Sequence, residues 1–340
     1  MRMTQSKKNR IRRAWLLLSL LAMAAGCSIN GKAVSDDADA GVGGDSTDSS
    51  TLIDTTDTDV DTDTDSGAEP TETDSEPIHS VCPSLDAYVS YRQGTLDDIE
   101  QEASGITWRP DTNMFFIVAN LTEHLWEYDG ALNTLQRELG LVNMDFDTEG
   151  IVYLGNDRFA IATESNTVYV VRIDEETTVV DGAAATTEIY IPAGPPPRYN
   201  AGFEGIAYAP GTAGAGILFV VQEYSPMRLL SFPYADSQPP YEERSALDGT
   251  LIVSEPWDAD TILDGVVTDL AGVAYDTSNE TLLMLSQESS RLMRVSPDTG
   301  EVRESRALPE SSAFEGVSLF DDCRIAVLAE PNFFSLYRPE

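Results

Sequence analysis

The amino-acid sequence predicts an all-β protein, a β-propeller in which five blades are closed by a strand from near the N-terminus. Three observations favour this fold: a recurring glycine motif, short strand-like segments between its copies, and a spare strand before the first copy. The motif consists of a small or acidic residue, a glycine, a β-branched residue, a small residue and usually an aromatic. Its five copies contain Gly105, Gly150, Gly205, Gly272 and Gly316.

The spacing of the motif sets the expected number of blades. Its glycines are 45, 55, 67 and 44 residues apart, and a period near 50 residues built of β-type segments is typical of propeller blades. The 67-residue interval leaves room for a degenerate sixth blade. It holds no second copy of the motif, so five blades are favoured.

Residues 1–27 are predicted to be a lipoprotein signal peptide. Basic residues precede Trp15–Gly26, an apolar run that is too short for a transmembrane helix. The run ends in small residues before Cys27 and resembles a bacterial lipobox, which predicts lipidation of Cys27 and a membrane anchor. Ser28 rather than aspartate follows the cysteine; by resemblance to enterobacterial sorting, this favours the outer membrane, with the domain facing the periplasm or the outside. Ordinary signal cleavage near Ala25 is the alternative.

Residues 28–80 are predicted to be a disordered tether. The segment Asp54–Asp65 consists almost entirely of aspartate and threonine, and such a composition buries too little apolar surface to offset the entropy of ordering. The negative charges repel one another and extend the chain. The tether therefore separates a membrane anchor from a folded domain.

Residues 81–340 are long enough for one large β domain, and that domain is strongly acidic. It contains 14 arginines, no lysine and 43 aspartates plus glutamates (58 in the whole chain minus 15 before residue 81), a net charge near −29. Nucleic acid is excluded as a partner, since it requires a basic footprint. The charge suits cation binding, and we expect a monomer.

Each repeat is predicted to form a four-stranded blade, from strand and turn signals. The first blade has Gly105–Arg109, Met114–Ala119, His124–Tyr128 and Thr134–Glu138. The second has Phe159–Thr163, Val168–Ile173 and Thr187–Ile191 after its motif; the third has Ile217–Gln222, Arg228–Phe232 and Leu251–Ser254, a candidate outer strand. The fourth has Thr281–Ser286, Leu292–Val295 and Glu301–Arg306; the fifth has Arg324–Leu328 and Phe334–Tyr337.

The fifth blade is one strand short, and Ala87–Tyr91 is predicted to supply that strand. Closure of this kind removes open sheet edges. It also brings Cys82, at the start of the domain, close to Cys323 in the last repeat. Because a secreted compartment permits disulfides, we predict a Cys82–Cys323 bond.

Two rings of mostly acidic residues are predicted at one mouth of the channel. The start of each first strand and the end of each second strand lie on the same face of a propeller, and loops on such a face carry function. The first ring contains Ser104, Glu149, Glu204, Ala271 (with Asp269 two residues earlier) and Glu315. The second ring contains Asn120, Glu164, Glu223, Glu288 and Glu330.

The negative charge of so many neighbouring carboxylates must be neutralised or stabilised, because like charges raise one another's pKa values. One answer is a hard cation such as calcium, which takes six to eight oxygen ligands. The other answer is structural: each glutamate caps backbone amides at a blade junction or pairs with Arg228 or Arg291. Both explanations remain open at the level of the sequence.

Other chemistry is mostly excluded by composition. His79 and His124 are the only histidines, and His79 lies in the tether, so His124 is the one candidate base for a triad and is expected simply to occupy a strand. Zinc sites built on several histidines or cysteines are excluded. The chain has neither a Walker-type phosphate loop nor a nucleophile elbow.

Several motifs together resemble the SdiA-regulated family over about residues 84–338. They are Ala103–Trp108, Asp147–Glu149, Gly202–Tyr208, Leu282–Ser289, Glu315–Val317 and Ala329–Asn332. The resemblance implies a five-bladed propeller that binds calcium at a site shared among members, in a family without an established biochemical role. Ala271 departs from the acidic pattern, and the tether and anchor are additions.

The leading hypothesis is a membrane-anchored, calcium-binding propeller that acts as a binding or scaffold module at the cell envelope. Its partner, a protein or a small molecule, would bind on the channel-mouth face. The alternative is a metal-dependent hydrolase, lactonase-, phytase- or esterase-like, that uses a channel-mouth calcium as a Lewis acid. In that reading Glu149 or Glu204 is the base, and Asn120 helps to orient the substrate. A third reading is purely structural, with glutamates that lock the blades.

Overall fold

The structure is a computed structural model. It describes residues 81–100, 102–185, 187–191, 202–212, 215–223, 226–235, 242–245, 252–309 and 313–340. All of these residues belong to one compact unit, Thr73–Glu340. The predicted signal peptide and tether lie outside the described residues, as do Cys27, His79 and Leu251.

The described chain is built almost entirely of β-strands. Strand β1 is Tyr88–Thr95. The strands that follow are β2 (Ala103–Arg109), β3 (Met114–Ala119), β4 (His124–Asp129), β5 (Leu135–Val142), β6 (Thr148–Gly155), β7 (Arg158–Thr163), β8 (Thr167–Arg172), β9 (Val179–Asp181) and β10 (Thr187–Tyr190). Next come β11 (Phe203–Pro210), β12 (Ala215–Gln222), β13 (Arg228–Ala235), β14 (Glu242–Ser245) and the short helix α1 (Ala259–Ile262). The last two groups are β15 (Gly272–Asp276), β16 (Thr281–Ser286), β17 (Arg291–Val295) and β18 (Val302–Ala307), and β19 (Ala313–Leu319), β20 (Ile325–Glu330) and β21 (Phe333–Pro339).

These strands form five sheets, which confirms the five-bladed propeller. In order of hydrogen bonding, the sheets are β2-β3-β4-β5-β9, β6-β7-β8-β10-β14, β11-β12-β13, β15-β16-β17-β18 and β19-β20-β21-β1. Neighbouring strands pair antiparallel, except that β9 joins β5 and β14 joins β10 in parallel at the outer edge. Each glycine motif supplies the innermost strand of its blade.

Local sequence determines the hairpins within the blades. Asn156 and Asp157, between β6 and β7, both have positive φ (54° and 60°). Two adjacent residues with positive φ make the turn that matches the twist of paired strands, and asparagine and aspartate tolerate this conformation better than most residues. The same reason places Asn113 (φ 53°) in the turn that leads into β3.

The core lies between the blades. It consists of five buried clusters, each formed mainly by two neighbouring sheets. Phe116 of β3 and Phe159 of β7 show the packing, with ring centroids 4.5 Å apart. Because each sheet is covered on both faces, central strands such as β16 are buried throughout, whereas the outer strand β18 alternates between half-buried and exposed residues.

The N-terminal strand closes the ring as predicted. β1 pairs antiparallel with β21, from Tyr88 opposite Pro339 to Thr95 opposite Phe333. Cys82 and Cys323 form a disulfide, with their Cα atoms 5.3 Å apart. The prediction of both features is confirmed.

The described part of the interval between Gly205 and Gly272 contains no sixth blade: β14 extends the second blade, and α1 packs beside the third. The prediction that Leu251–Ser254 forms the outer strand of the third blade is wrong. Its described residues make a single bridge, Ser254 with Ser231 of β13, because the chain turns away toward α1.

Candidate metal centre

The acidic residues of the first ring lie at irregularities in the innermost strands. The pairing register shifts between Thr148 and Gly150, and again between Phe203 and Gly205, so Glu149 and Glu204 are the extra residues of β-bulges. A similar shift surrounds Glu315 in β19. A bulge bends the strand and re-aims a side chain. The fourth blade shows no such shift between β15 and β16, and there Ala271 stands in the ring position.

Three carboxylates form the tightest cluster. One oxygen atom from each of Asp147, Glu149 and Glu164 lies within 4.8 Å of the other two. We call these residues the acidic set. Glu149 is only 5% exposed, whereas Asp147 and Glu164 are half-buried. The cluster therefore opens from a buried carboxylate toward the solvent at the mouth.

Backbone contacts hold the acidic set together. Thr148 is fully buried, and its hydroxyl donates to the carbonyl of Ala119 at the end of β3, at 3.0 Å. The amide of Glu164 donates to the carbonyl of Asp147, also at 3.0 Å. These bonds tie the ends of β3, β6 and β7 to one another, and so fix the positions from which the carboxylates project.

Burial and mutual repulsion raise the pKa values of these groups. The pKa of Glu149 lies well above its ordinary value because of burial first, then the charges of Asp147, Glu315 and Glu164; a hydrogen bond from Ser104 opposes the rise only in part. Burial, together with a hydrogen bond to Asp147, raises the pKa of Glu164 to about 8. Carboxylates in this arrangement share protons unless a cation neutralises them.

Glu204 and Glu315 extend the negative region around the channel. Burial and the charges of Glu149, Glu223 and Glu315 raise the pKa of Glu204 well above its ordinary value. Burial and the charges of Glu330, Glu223 and Asp269 raise the pKa of Glu315 to about 9. Members of both predicted rings, among them Glu204, Glu223 and Glu315, therefore influence one another electrostatically.

Not every ring residue joins this cluster. Asp269 is fully buried, and it accepts hydrogen bonds from the Ser286 hydroxyl and from the amides of Gln287 (2.8 Å) and Glu288 (3.1 Å). Asp269 therefore fits the structural explanation, the capping of backbone amides. Glu288 is exposed. Glu223 and Glu330 lie close enough to the channel to affect the pKa of Glu315.

Arg228 and Arg291, the two arginines proposed as partners of the ring glutamates, contact other residues in the described chain. Arg228 makes an ion pair with Glu255, with Nη2 and Oε2 3.0 Å apart. Arg291 donates to the hydroxyl of Ser305 at 2.7 Å.

Sequence reasoning missed two contributors to the site. Asp147 stands two residues before Glu149, as Asp269 stands two residues before Ala271, so the repeat itself contained the signal. Gln287 donates from its side-chain amide to the Glu315 carboxylate, and only the packing of neighbouring blades brings these residues together. Glu149, Glu204 and Glu315, with the five motif glycines, line a channel cavity of about 10 Å³.

His124 behaves as expected for a strand residue. It begins β4 and makes a surface contact with Glu138 across to β5, with Nδ1 and Oε1 2.8 Å apart. His124 therefore occupies a strand position at the surface of the first blade.

The fold and the site together define a class of protein: a five-bladed β-propeller with a carboxylate-rich mouth at one end of its channel. The chain belongs to the SdiA-regulated family, whose sequence pattern matches residues 84–338. The resemblance seen in the motifs is confirmed.

Three solved structures show a limited similarity to this chain. A luciferin-regenerating enzyme is 12% identical, with a TM-score of 0.43, over 73% of this chain and 94% of that one. Regucalcin from Agrobacterium tumefaciens strain C58, described as a calcium-binding protein, is 12% identical, with a TM-score of 0.43, over 71% and 92%. The Cps50 (Swd1) propeller domain of Myceliophteria thermophila is 11% identical, with a TM-score of 0.37, over 72% and 65%. The five sheets of this chain define its fold independently of these likenesses.

Proposed function

We propose that this protein is a calcium-binding propeller, tethered to the bacterial cell envelope through a lipid on Cys27, and that it acts as a binding module through its channel-mouth face. The observation that carries the proposal is the acidic set, in which the oxygens of Asp147, Glu149 and Glu164 lie within 4.8 Å of one another. Three carboxylates at this separation need a cation when all are ionised.

The donor atoms at the mouth fit calcium. They are carboxylate and amide oxygens, the hard ligands that calcium prefers. Oδ1 of Asp147 and Oδ1 of Asn120 are buried and have no hydrogen-bond partner within the described chain. Buried polar atoms of this kind call for a ligand or an ion. The residues that would hold the ion are Asp147, Glu149 and Glu164, with Asn120 as a further oxygen donor.

A bound calcium ion would supply positive charge that attracts oxygen atoms of a partner to the mouth. The chain positions that charge beside the part of the channel lined by the motif glycines, where the cavity is about 10 Å³. Farther along the same five inner strands, a cavity of about 120 Å³ lies beyond these glycines. A ligand larger than water that approaches from the mouth therefore binds outside the ring of glycines. This geometry supports a binding module.

The envelope location rests on the sequence. The small residues before Cys27 and the acidic tether of residues 28–80 support a lipid anchor with a long spacer. In the described part of the chain, no helix has the length and apolarity needed to cross a bilayer. Replacement of Cys27 by serine should abolish incorporation of labelled palmitate and release the protein from membranes; retention on membranes would contradict the anchor.

Calorimetric titration of the full-length protein with calcium tests the ion site. The wild type should bind one ion, and an ion at 100 times its dissociation constant should stabilise the fold by about 2.7 kcal/mol. The double variants Asp147→Asn with Glu164→Gln, and Glu149→Gln with Glu204→Gln, should lose this binding. Glu288→Gln is the matched control, since Glu288 is an exposed member of the same ring. Unchanged calcium affinity in both double variants would refute the assignment.

A second candidate function is metal-dependent hydrolysis of a lactone, phosphoester or ester. The observation in its favour is the channel cavity, which has room for about one water beside Glu149 and Glu204; a carboxylate next to a water is the arrangement that general-base catalysis requires. A panel of the three substrate classes, with calcium present, distinguishes the candidates. Turnover that is lost in Glu149→Gln would favour the hydrolase, and no turnover on any class would favour the binding module.

A further inference from the structure

Two exposed apolar side chains lie at the channel mouth next to the acidic set. Leu121 is 73% exposed and Phe146 is 51% exposed. The amide of Thr122 donates to the carbonyl of Phe146 at 3.2 Å, so the turn after β3 and the loop before β6 are in direct contact. We call Leu121 and Phe146 the mouth pair.

The mouth pair is flanked by the oxygens already described. Asn120, the residue before Leu121, and Asp147, the residue after Phe146, each carry a buried oxygen without a hydrogen-bond partner in the described chain. Leu121 also has a φ of 55°, a left-handed conformation that is unfavourable for leucine. The Leu121 side chain is not buried, so no packing within the protein compensates for this backbone strain or explains an apolar residue at this position.

The charge of the surrounding face indicates which partner fits. The carboxylates next to the mouth pair include Asp147, Glu149 and Glu164, whose oxygens lie within 4.8 Å of one another, and Asp145, the residue before Phe146. One calcium ion compensates two of these four charges. The face therefore stays acidic after the ion is bound, and an anionic partner is repelled.

A second copy of this chain is a poor occupant for the same reason. Residues 81–340 contain 14 arginines, no lysine and 43 acidic residues, so two copies repel each other. A segment that carries both positive charge and apolar side chains satisfies both features of the surface. Burial of exposed side chains of this size against such a segment is favourable.

We propose that the mouth pair and the carboxylates around it form a docking surface for a basic polypeptide segment that carries apolar side chains. The inference rests on the proposed function, because it names the partner class for the same channel-mouth face. The partner's charges lie over the carboxylates, and its apolar side chains cover Leu121 and Phe146.

Fluorescence anisotropy with labelled synthetic peptides tests this surface on the full-length protein with calcium present. The probe is a short peptide that alternates lysine and leucine. Two matched peptides serve as comparisons, one that alternates lysine and serine and one that alternates glutamate and leucine. We expect the lysine–leucine peptide to bind about tenfold more tightly than the lysine–serine peptide, and the glutamate–leucine peptide to show no binding.

The variant Leu121→Gly with Phe146→Ser should remove the preference for the lysine–leucine peptide. Glycine suits the left-handed backbone at position 121, so the fold is expected to be kept, and unchanged calcium binding would show that it is. Ile217→Ser is the matched control, because Ile217 is 44% exposed but lies at the end of β12 opposite the mouth. A preference that survives in the double variant, or one lost equally in the control, would overturn the proposal.

The same measurements separate this inference from the calcium site. Calcium binding without any preference between the two lysine peptides would overturn the docking surface and leave the ion site intact. The protein could instead bind no calcium and still prefer the lysine–leucine peptide through the mouth pair. That result would support the docking surface and contradict the calcium site. Self-association that is lost in the double variant, or binding to neutral lipid vesicles, would identify a different occupant and overturn the proposal.

Discussion

The carbonyl oxygen of Ser104 lies 2.6 Å from the position that a Cβ atom on Gly316 would occupy, so the last blade and the first blade meet backbone to backbone. The other motif glycines make the same kind of approach. A Cβ atom on Gly105 would lie 2.8 Å from the carbonyl oxygen of Glu149, and one on Gly272 would lie 2.4 Å from that of Glu315. The recurring glycine is therefore the residue that lets five inner strands surround so narrow a channel.

Gly316→Ala should destabilise the propeller by about 1–3 kcal/mol, because the added methyl group forces two inner strands apart. Urea denaturation followed by tryptophan fluorescence would measure the change. Gly140→Ala is the matched control: Gly140 also lies in a strand, but the nearest atom to an added Cβ is Cγ2 of Val179 at 3.7 Å. Equal stability of the two variants would show that the inner ring tolerates a side chain.

Asp269→Ala should cost about 2–4 kcal/mol of stability without loss of calcium binding. The carboxylate is fully buried and accepts from the amides of Gln287 and Glu288, and buried donors left without an acceptor carry their full desolvation penalty. Thermal unfolding and calorimetric titration on one sample would measure both quantities. Asp298→Ala, at an exposed position, should leave both unchanged. Lost calcium binding in a folded Asp269→Ala would instead make Asp269 a ligand.

The stability of the calcium-free protein should fall as the pH rises. The pKa of Glu164 is about 8 and that of Glu315 about 9, whereas an unfolded glutamate titrates near pH ~4.3. Between these values the folded state binds more protons than the unfolded state. The contribution of these two groups to the free energy of unfolding is therefore fully present below pH ~4.3. It decreases as the pH rises from ~4.3 to the folded pKa values, and it levels off above them.

Urea denaturation in chelator at several pH values between about 6 and 9 would measure this slope. Excess calcium should weaken it, because the ion stabilises the ionised carboxylates and takes the place of their protons. The Glu164→Gln variant, which cannot titrate at this position, should show a smaller slope in chelator. Stability that rises with pH in chelator would contradict the pKa directions given for these groups.

Removal of the disulfide should lower stability by about 2–5 kcal/mol, the usual range for a bond that closes a long loop. Cys82 and Cys323 are 241 residues apart in sequence, and the pairing of β1 with β21 remains to hold the last blade. Cys82→Ser with Cys323→Ser should thus stay folded, with a lower urea midpoint and reduced β1 protection in hydrogen exchange. An unchanged midpoint would show that β1 closes the ring without the covalent bond.

Much of the fold was determined by local features of the sequence. The glycine repeat predicted five blades, Ala87–Tyr91 predicted the strand that completes the fifth, and the disulfide followed from that closure. These predictions succeeded because strand periodicity, turns and repeat spacing are local properties. The failed outer strand at Leu251–Ser254 lies in an irregular insertion, where no repeat constrains the reading.

The candidate site was predicted only in outline. Repetition along the chain placed Glu149 and Glu164 at one mouth, but it could not separate Asp269, which caps amides, from Asp147, which joins the acidic set. Glu288 and Glu164 occupy equivalent positions in the sequence, yet one is exposed and the other lies in the cluster.

The sequence by itself determined a propeller of five blades, its closure by β1 and a face rich in carboxylates, since each of these follows from residue types at repeated spacings. Only the tertiary structure decided which carboxylates come within 4.8 Å of one another, and that Leu121 and Phe146 lie beside them. The reason is physical: a ligand set depends on distances between side chains from different strands, and bulges and loop contacts change those distances by more than an ion site tolerates.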